Sequence, residues 1–271
     1  EEYSFNRVNG YVLTENGGSE ILITSKKNWS ANDRFDYVLL TKNFDKINDG
    51  NFSNYIWIKH PALTVADSYN EIRESYNGAF SFKKENLDNG DEGLRSPQIG
   101  GIYAALAHWQ IGKEPATIVM PTGTGKTETM LSLFIAASCE RILIVVPSDA
   151  LRTQLAKKFI TLGLLKQLGV VNENCLFPRV GILKHRPQTE QEVQEFFENC
   201  NVIITTMSVV GQLSPQIQTN VAEYCTHLFI DEAHHIAAKT WREFIKAFKG
   251  KYILQFTASP FRNDDKSIGG K

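Results

Sequence analysis

A strand, a glycine-rich turn and a helix follow one another within Ala116–Ala137, and no other feature constrains the fold of this chain as strongly. The apolar run Ala116–Met120 predicts a buried strand, and the pattern of Lys126–Ala137 predicts a helix. Between them, Gly123 and Gly125 allow the backbone to turn its amides inward, and the helix N-terminus adds partial positive charge. This succession predicts a loop that binds phosphate groups.

The residue types of the turn indicate a nucleotide with its metal ion. In a loop of this kind Lys126 would reach the β- and γ-phosphates, and the Thr127 hydroxyl would be a ligand of Mg²⁺. The strict motif has a glycine where this chain has Met120, which is one departure from the pattern. The residues predicted to hold ATP at the loop are Thr122, Gly123, Thr124, Gly125, Lys126, Thr127 and Glu128.

A second apolar run ends in a pair of carboxylates. Residues Thr226–Ile230 predict a buried strand, and Asp231 and Glu232 follow at its end. Open α/β sheets bind their ligands at the carboxyl ends of their strands. There Asp231 could hold Mg²⁺ through water, and Glu232 could orient and deprotonate an attacking water. Two acidic residues that cap the following helix are the alternative interpretation, and the presence of the phosphate loop favours the catalytic one.

With these motifs in place, the chain resembles the first RecA-like domain of a superfamily 2 helicase or translocase of the DEAH type. The final motif, Phe256–Arg262, is most similar to the branch of helicase subunits of type I and type III restriction enzymes. The matching motifs run in the order of the family from Leu94 to Arg262: Leu94–Gln98, Pro121–Thr127, Val146–Gln154, Ile204–Ser208, Asp231–His234 and Thr257–Ser259.

The resemblance implies a role for each matched position. Lys126, Asp231 and Glu232 would be catalytic, and Arg95 and Gln98 would lie beside the adenine of ATP. Thr127 and Asp231 would hold Mg²⁺. The residues that would couple the state of the γ-phosphate to nucleic acid are His234, Thr257 and Ser259. The residues that would contact the nucleic-acid backbone are Pro147, Ser148, Arg152, Thr205 and Thr206.

The order of elements predicts an α/β fold, a RecA-like P-loop NTPase domain whose mainly parallel sheet is flanked by helices. From residue 91 onward, strand-like and helix-like segments alternate through residue 271. Residues 1–90 differ, because short alternating runs are separated by turns rich in Asn, Asp and Gly, which predicts a small β-rich module of undetermined role. We expect the polar stretch Lys83–Gly93 to join the two.

Composition restricts the function less than the motifs do. Net charge is −1, from 29 basic and 30 acidic residues, so the whole-chain balance neither supports nor excludes a nucleic-acid partner. The chain has no apolar run of the ~20 residues that span a bilayer, and we expect a cytoplasmic protein without a membrane partner. Partners implied by the resemblance are nucleic acid, a second RecA-like domain and subunits of a restriction or defence complex.

Three functions remain open at this stage. The first is a motor domain that hydrolyses ATP and acts on DNA in a restriction or phage-defence system; the second is an RNA helicase motor domain. The third is a nucleotide-dependent scaffold that binds nucleic acid without motor activity. In the family the second RecA-like domain supplies an arginine finger, and no such motif follows within this chain. We therefore expect this chain alone to bind ATP and to hydrolyse it slowly.

Overall fold

The computed structural model describes residues 2–5, 8–14, 20–25, 35, 37–41, 55–59, 67–232 and 238–258. The chain divides into two compact units, Glu1–Ala66 and Asp67–Lys271. The boundary predicted from sequence at residue 90 stays a prediction about domains, and residues 67–90 lie in the second compact unit.

The first unit contains a five-stranded sheet whose strands are adjacent in chain order. Only β3 and β4 pair in parallel, and the other neighbours are antiparallel. Leu22, Phe35 and Val38 form its buried cluster. The predicted β-rich module is therefore confirmed, although its first strand was not predicted. The strands are β1 (Glu2–Phe5), β2 (Val8–Thr14), β3 (Glu20–Thr24), β4 (Tyr37–Thr41) and β5 (Tyr55–Lys59).

The second unit is built on a six-stranded parallel sheet, which confirms the predicted fold class. Its strands are β6 (Ala116–Val119), β7 (Ile142–Val146), β8 (Val180–Ile182), β9 (Val202–Thr206), β10 (His227–Asp231) and β11 (Tyr252–Thr257). Their order across the sheet is β6-β11-β10-β7-β9-β8. Because all six strands run in one direction, their carboxyl ends meet at a single edge, where the loops with the predicted motifs begin.

Helices cover both faces of this sheet. They are α1 (Tyr69–Glu74), α2 (Ser96–Ile111), α3 (Lys126–Ala136), α4 (Asp149–Ile160), α5 (Glu190–Phe197), α6 (Met207–Val210), α7 (Pro215–Tyr224) and α8 (Ala238–Ala247). The sequence of the central strand β7 is apolar without interruption because both faces of the strand are buried. Ile142, Ile144 and Val146 enter the core beside α2, α3 and α4, whereas Leu143 and Val145 enter the core beside α5, α7 and α8.

The polar stretch Lys83–Gly93 is part of the second unit rather than a free connection. Lys84 pairs with Leu94, and Asn86 pairs with Asp91, so the stretch folds back on itself. The segment that precedes it is held as well, because the Ser81 amide donates to the Val170 carbonyl at 2.8 Å. The backbone groups of this stretch thus find partners within the unit, and its role as a joining segment stays a prediction.

Among the residues that the structure describes, no helix combines the length and apolar character needed to cross a membrane.

A buried histidine, His227, lies at the amino end of β10, and its burial affects how stability depends on pH. His227 lies against the rings of Trp109 and Tyr252, with centroid distances of 5.2 and 4.9 Å. Burial, with a smaller contribution from the charge of Lys113, lowers the pKa of His227 to about 4. The native state therefore keeps this imidazole neutral at a pH where an exposed histidine takes up a proton.

We expect this histidine to make the protein less stable in mild acid. Because the folded pKa lies below the unfolded value of ~6.5, the contribution to stability is complete above that pH and is lost as pH falls toward 4. Between pH 7.5 and 5 the wild-type protein should lose about 2 kcal/mol more of its unfolding free energy than His227→Asn. Urea denaturation at both pH values measures this difference, and equal losses in the two proteins would contradict it.

Candidate functional site

The predicted phosphate loop lies between β6 and α3 and has the backbone that the motif requires. Gly123 and Gly125 adopt φ values of 83° and 91°, in the left-handed region that favours glycine. The Thr124 amide and hydroxyl both bond to the Pro121 carbonyl, at 3.2 and 2.6 Å, and close the turn. Thr122 and Gly123 are exposed at its tip. Because the first helical hydrogen bond runs from Thr129 to Gly125, the amides before Thr129 are not used by the helix ladder.

The start of α2 holds this loop from the side. The Arg95 guanidinium donates to the Gly123 carbonyl at 2.8 Å. Gln98 is only 3% exposed; its amide nitrogen donates to the Gly125 carbonyl at 3.3 Å, and its amide oxygen accepts from the Arg95 backbone at 2.7 Å. The contact of both side chains with adenine stays a prediction. Their hydrogen bonds to the loop backbone are an additional connection that the sequence did not predict.

The loop lysine and the second strand-end carboxylate form an ion pair. Lys126 Nζ donates to Glu232 Oε1, and the two side chains are 15% and 19% exposed. Glu232 also has a φ of 54°, which is a strained conformation for a residue with a side chain. Two residues 106 positions apart are thus brought together at the edge where β6 and β10 end.

Asp231 lies beside this pair at the end of β10. Burial raises the pKa of its carboxyl to about 6; the positive charge of Lys126 opposes the rise, and the negative charge of Glu232 adds to it. Its Oδ1 atom is buried and has no hydrogen-bond partner among the residues that the structure describes. An unsatisfied buried carboxylate oxygen is a ligand that Mg²⁺ accepts. Together with the half-buried hydroxyl residue Thr127, it gives an oxygen donor set that fits a nucleotide-bound magnesium ion.

Glu128 differs from the other predicted loop residues. Its carboxylate is 17% exposed and lies 3.0 Å from the ammonium group of Lys158 on α4. The pair connects α3 with α4, so in this structure the side chain is engaged by a neighbouring helix. The role of Glu128 in holding ATP stays a prediction.

Of the residues predicted to couple ATP to nucleic acid, Thr257 is the one that the structure describes. It is fully buried at the end of β11, and its carbonyl accepts from the Met120 amide at 2.8 Å. This bond fixes the entry to the phosphate loop against the carboxyl end of β11. His234 and Ser259 lie outside the described residues.

The predicted nucleic-acid residues lie at the same sheet edge, at the end of β9 and beyond the end of β7. Ser148 is exposed and caps α4, and Pro147 is half-buried. The three remaining side chains are buried, and each has a bond inside the protein. Arg152 pairs with Asp149 at 2.9 Å, the Thr205 hydroxyl donates to the Leu183 carbonyl at 3.1 Å, and the hydroxyls of Thr206 and Ser208 are 2.7 Å apart. Their contact with a nucleic-acid backbone stays a prediction.

One basic group at this edge was missed by the sequence analysis. Lys184, His185 and Arg186 follow β8 directly and are all exposed. Three basic residues in a row after a strand-like segment were the signal that could have indicated them.

Comparison with known proteins places the site in a family. The family model described as "Type III restriction enzyme, res subunit" matches residues 91–262, which include the phosphate loop, both strand-end carboxylates and the predicted nucleic-acid residues. No curated protein matched the chain.

Several solved structures are similar to the chain at low identity. The UvsW helicase from bacteriophage T4 is 15% identical, with 80% of this chain and 68% of that chain covered and a TM-score of 0.46. A nuclease-deletion mutant of the Type ISP restriction-modification enzyme LlaGI is 18% identical over 65% of this chain and 18% of that chain, with a TM-score of 0.42. A hypothetical ATP-dependent RNA helicase from Sulfolobus tokodaii is 15% identical over 71% of this chain and 51% of that chain, with a TM-score of 0.44.

The chain therefore spans only a part of these longer proteins, less than a fifth in the case of LlaGI. Its RecA-like unit is a motor domain of the superfamily 2 helicase type. Because the family model covers more than half of its 271 residues, this protein belongs to the family of type III restriction enzyme res subunits.

Proposed function

We propose that the chain binds and hydrolyses ATP as the first motor domain of a helicase or translocase that acts on DNA. The observation that carries this proposal is the pairing of Lys126 with Glu232 at the edge where β6 and β10 end. The pair brings a phosphate-binding cation and a water-activating carboxylate into one place. Asp231, whose buried Oδ1 has no hydrogen-bond partner among the described residues, lies directly beside them.

Each of these residues has a separate role in the proposed phosphoryl transfer. Loop amides and Lys126 bind and orient the phosphates, and release of Lys126 from Glu232 makes the lysine available to ATP. Thr127 and Asp231 would hold Mg²⁺, which when bound neutralises charge on the phosphate oxygens. Glu232 would then accept a proton from the attacking water and align it with the γ-phosphate. Reactions of this type depend mostly on positioning and charge stabilisation, so each of these groups is expected to have a large effect.

We include DNA and a restriction or defence system in the proposal because the family consists of restriction-enzyme subunits. An RNA substrate is the alternative. A scaffold without motor activity is a weaker alternative, because Lys126, Thr127, Asp231 and Glu232 are all present. A cytoplasmic location belongs to the same proposal, since it gives a DNA motor access to both ATP and DNA.

The experiment that tests this function measures how nucleotide changes the affinity for nucleic acid. Fluorescent single-stranded DNA and RNA of equal length are titrated with the protein, with and without a non-hydrolysable ATP analogue and Mg²⁺. We expect binding that changes at least about threefold with nucleotide and is stronger for DNA. Binding that ignores nucleotide would contradict a motor, and stronger binding of RNA would favour the alternative substrate.

A further inference from the structure

The loop that follows β8 presents three basic side chains on a fixed base. Lys184, His185 and Arg186 are exposed, whereas the flanking residues Leu183 and Pro187 are buried. Two buried ends with an exposed centre hold the loop at the surface and direct its charged part outward. Because the loop begins where β8 ends, it lies at the same sheet edge as the predicted nucleic-acid residues.

Thr205 connects this loop to the predicted nucleic-acid residues. Its hydroxyl donates to the Leu183 carbonyl at 3.1 Å, and the Leu183 amide donates to the Ile204 carbonyl at 3.0 Å. Thr205 itself is 0% exposed. A residue that is predicted to contact nucleic acid thus uses its polar group to hold the base of the basic loop.

Strand register places the loop beside the ends of its neighbours. Ile182, Ile204 and Ile144 lie side by side on β8, β9 and β7. Adjacent strands are ~4.8 Å apart, so the segments that leave β8 and β7 begin roughly 10 Å from each other. The exposed side chain of Ser148 and the basic loop therefore mark the two ends of one short surface across three strands.

Within the part of the chain that the structure describes, the charges of the loop are not neutralised by neighbouring groups. Neither Lys184 nor Arg186 has a carboxylate within ion-pair distance in the parts of the chain that the structure describes. The next acidic residues along the chain bond elsewhere. Glu190 accepts from the Gln216 amide at 3.1 Å, and Glu192 accepts from the Gln188 backbone at 2.6 Å.

We propose that Lys184, His185 and Arg186 bind the phosphate backbone of a single nucleic-acid strand and form the outer end of its path across this domain. This inference rests on the proposed function, and it assigns the ionic contact to exposed residues that the motifs do not include. Lysine and arginine side chains that lack internal partners gain counterion release when they neutralise phosphates, and such contacts follow a strand without reading its sequence.

The test compares two variants that remove equal charge from opposite edges of the sheet. Lys184→Ala/Arg186→Ala removes the loop charges, and Lys246→Ala/Lys249→Ala removes two exposed lysines that precede the amino end of β11. Both are titrated with fluorescent dT20 and rU20 between 50 and 300 mM salt, in the presence of the non-hydrolysable ATP analogue.

We expect the loop variant to bind about 10- to 25-fold more weakly near 100 mM salt and to lower the slope of log K against log salt by ~1.4, which corresponds to two single-strand phosphate contacts. The control should stay within about twofold of the wild type. A loop variant that matches the control would overturn this inference while leaving the proposed function intact. Absence of binding by the wild-type protein would overturn both. Unchanged ATP-analogue affinity in the loop variant verifies that its fold is intact.

Discussion

Replacing Glu232 by glutamine is expected to slow hydrolysis of bound ATP by at least about 100-fold while ATP affinity stays equal or rises. The loss follows because glutamine cannot accept the proton of the attacking water, and general bases contribute ~10²–10⁴ in rate. The gain in affinity follows from the structure. The structure pairs Lys126 with Glu232, so ATP must compete with that carboxylate for the lysine. A neutral amide at position 232 weakens this competition.

Single-turnover hydrolysis separates the two effects. Protein in excess over γ-labelled ATP reports the chemical step, and titration with a fluorescent ATP analogue reports affinity. Glu243→Gln is the matched control, because it makes the same change at an exposed carboxylate that pairs with Lys246 on its own helix. The control is expected to stay within about twofold in both measurements.

The expected turnover and the expected affinity of Glu232→Gln can each be contradicted independently. Turnover of Glu232→Gln within threefold of the wild type would remove Glu232 from the chemistry. Affinity that drops by tenfold would mean that the Lys126 pair does not compete with ATP. The slow turnover expected of this chain alone does not obscure the comparison, since both proteins are measured under the same single-turnover conditions.

The framework of the RecA-like unit was predictable because its signals are local. The two strands that lead to the site, β6 and β10, were predicted within about one residue at each end, since buried parallel strands are continuous apolar runs bounded by turns. The starts of α2 and α7 have a signal of the same local kind, a Ser-Pro pair with proline in the first turn of each helix. The missed helix α1 also had a local signal, because Ser68 and Glu71 form a capping box in the structure.

What could not be predicted depends on contacts between distant parts of the chain. Motif order placed Thr205 and Arg152 at the correct edge of the sheet, but their burial depends on how β8, β9 and α4 pack. The same holds for the hydrogen bonds from Arg95 and Gln98 to the loop, since the partners lie 27 or 28 residues apart. Motifs therefore predicted which residues assemble, and packing decides which of their atoms remain available to a ligand.

The packing of Gln98 against the phosphate loop makes Gly125 the most sensitive glycine of the site. A Cβ atom at Gly125 would lie 2.1 Å from the Gln98 amide nitrogen, and the φ of 91° would strain any other residue. Gln98 cannot simply move away, because it is buried and holds two hydrogen bonds. At Gly123 the φ is similar, 83°, but a Cβ atom would meet nothing within 4 Å. A comparison of substitutions at the two glycines therefore separates the cost of backbone strain from the cost of a steric clash.

We expect Gly125→Ala to lower the unfolding free energy by about 2–4 kcal/mol, against about 1–2 kcal/mol for Gly123→Ala. The larger loss contains the left-handed strain and the displaced Gln98 amide, whereas the smaller loss contains the strain alone. Urea denaturation of both variants measures the difference, and equal losses would show that the loop accommodates the added atom.

A double variant identifies the group that the added atom displaces. If that group is Gln98, the losses for Gly125→Ala and Gln98→Ala should sum to at least about 1 kcal/mol more than the loss for the double variant. Additive losses would mean that the alanine disturbs the loop by another route. Less-than-additive losses would establish that the start of α2 and the phosphate loop act as one unit, so that the predicted adenine contact of Gln98 and the predicted phosphate contact of Gly125 would belong to a single connected surface.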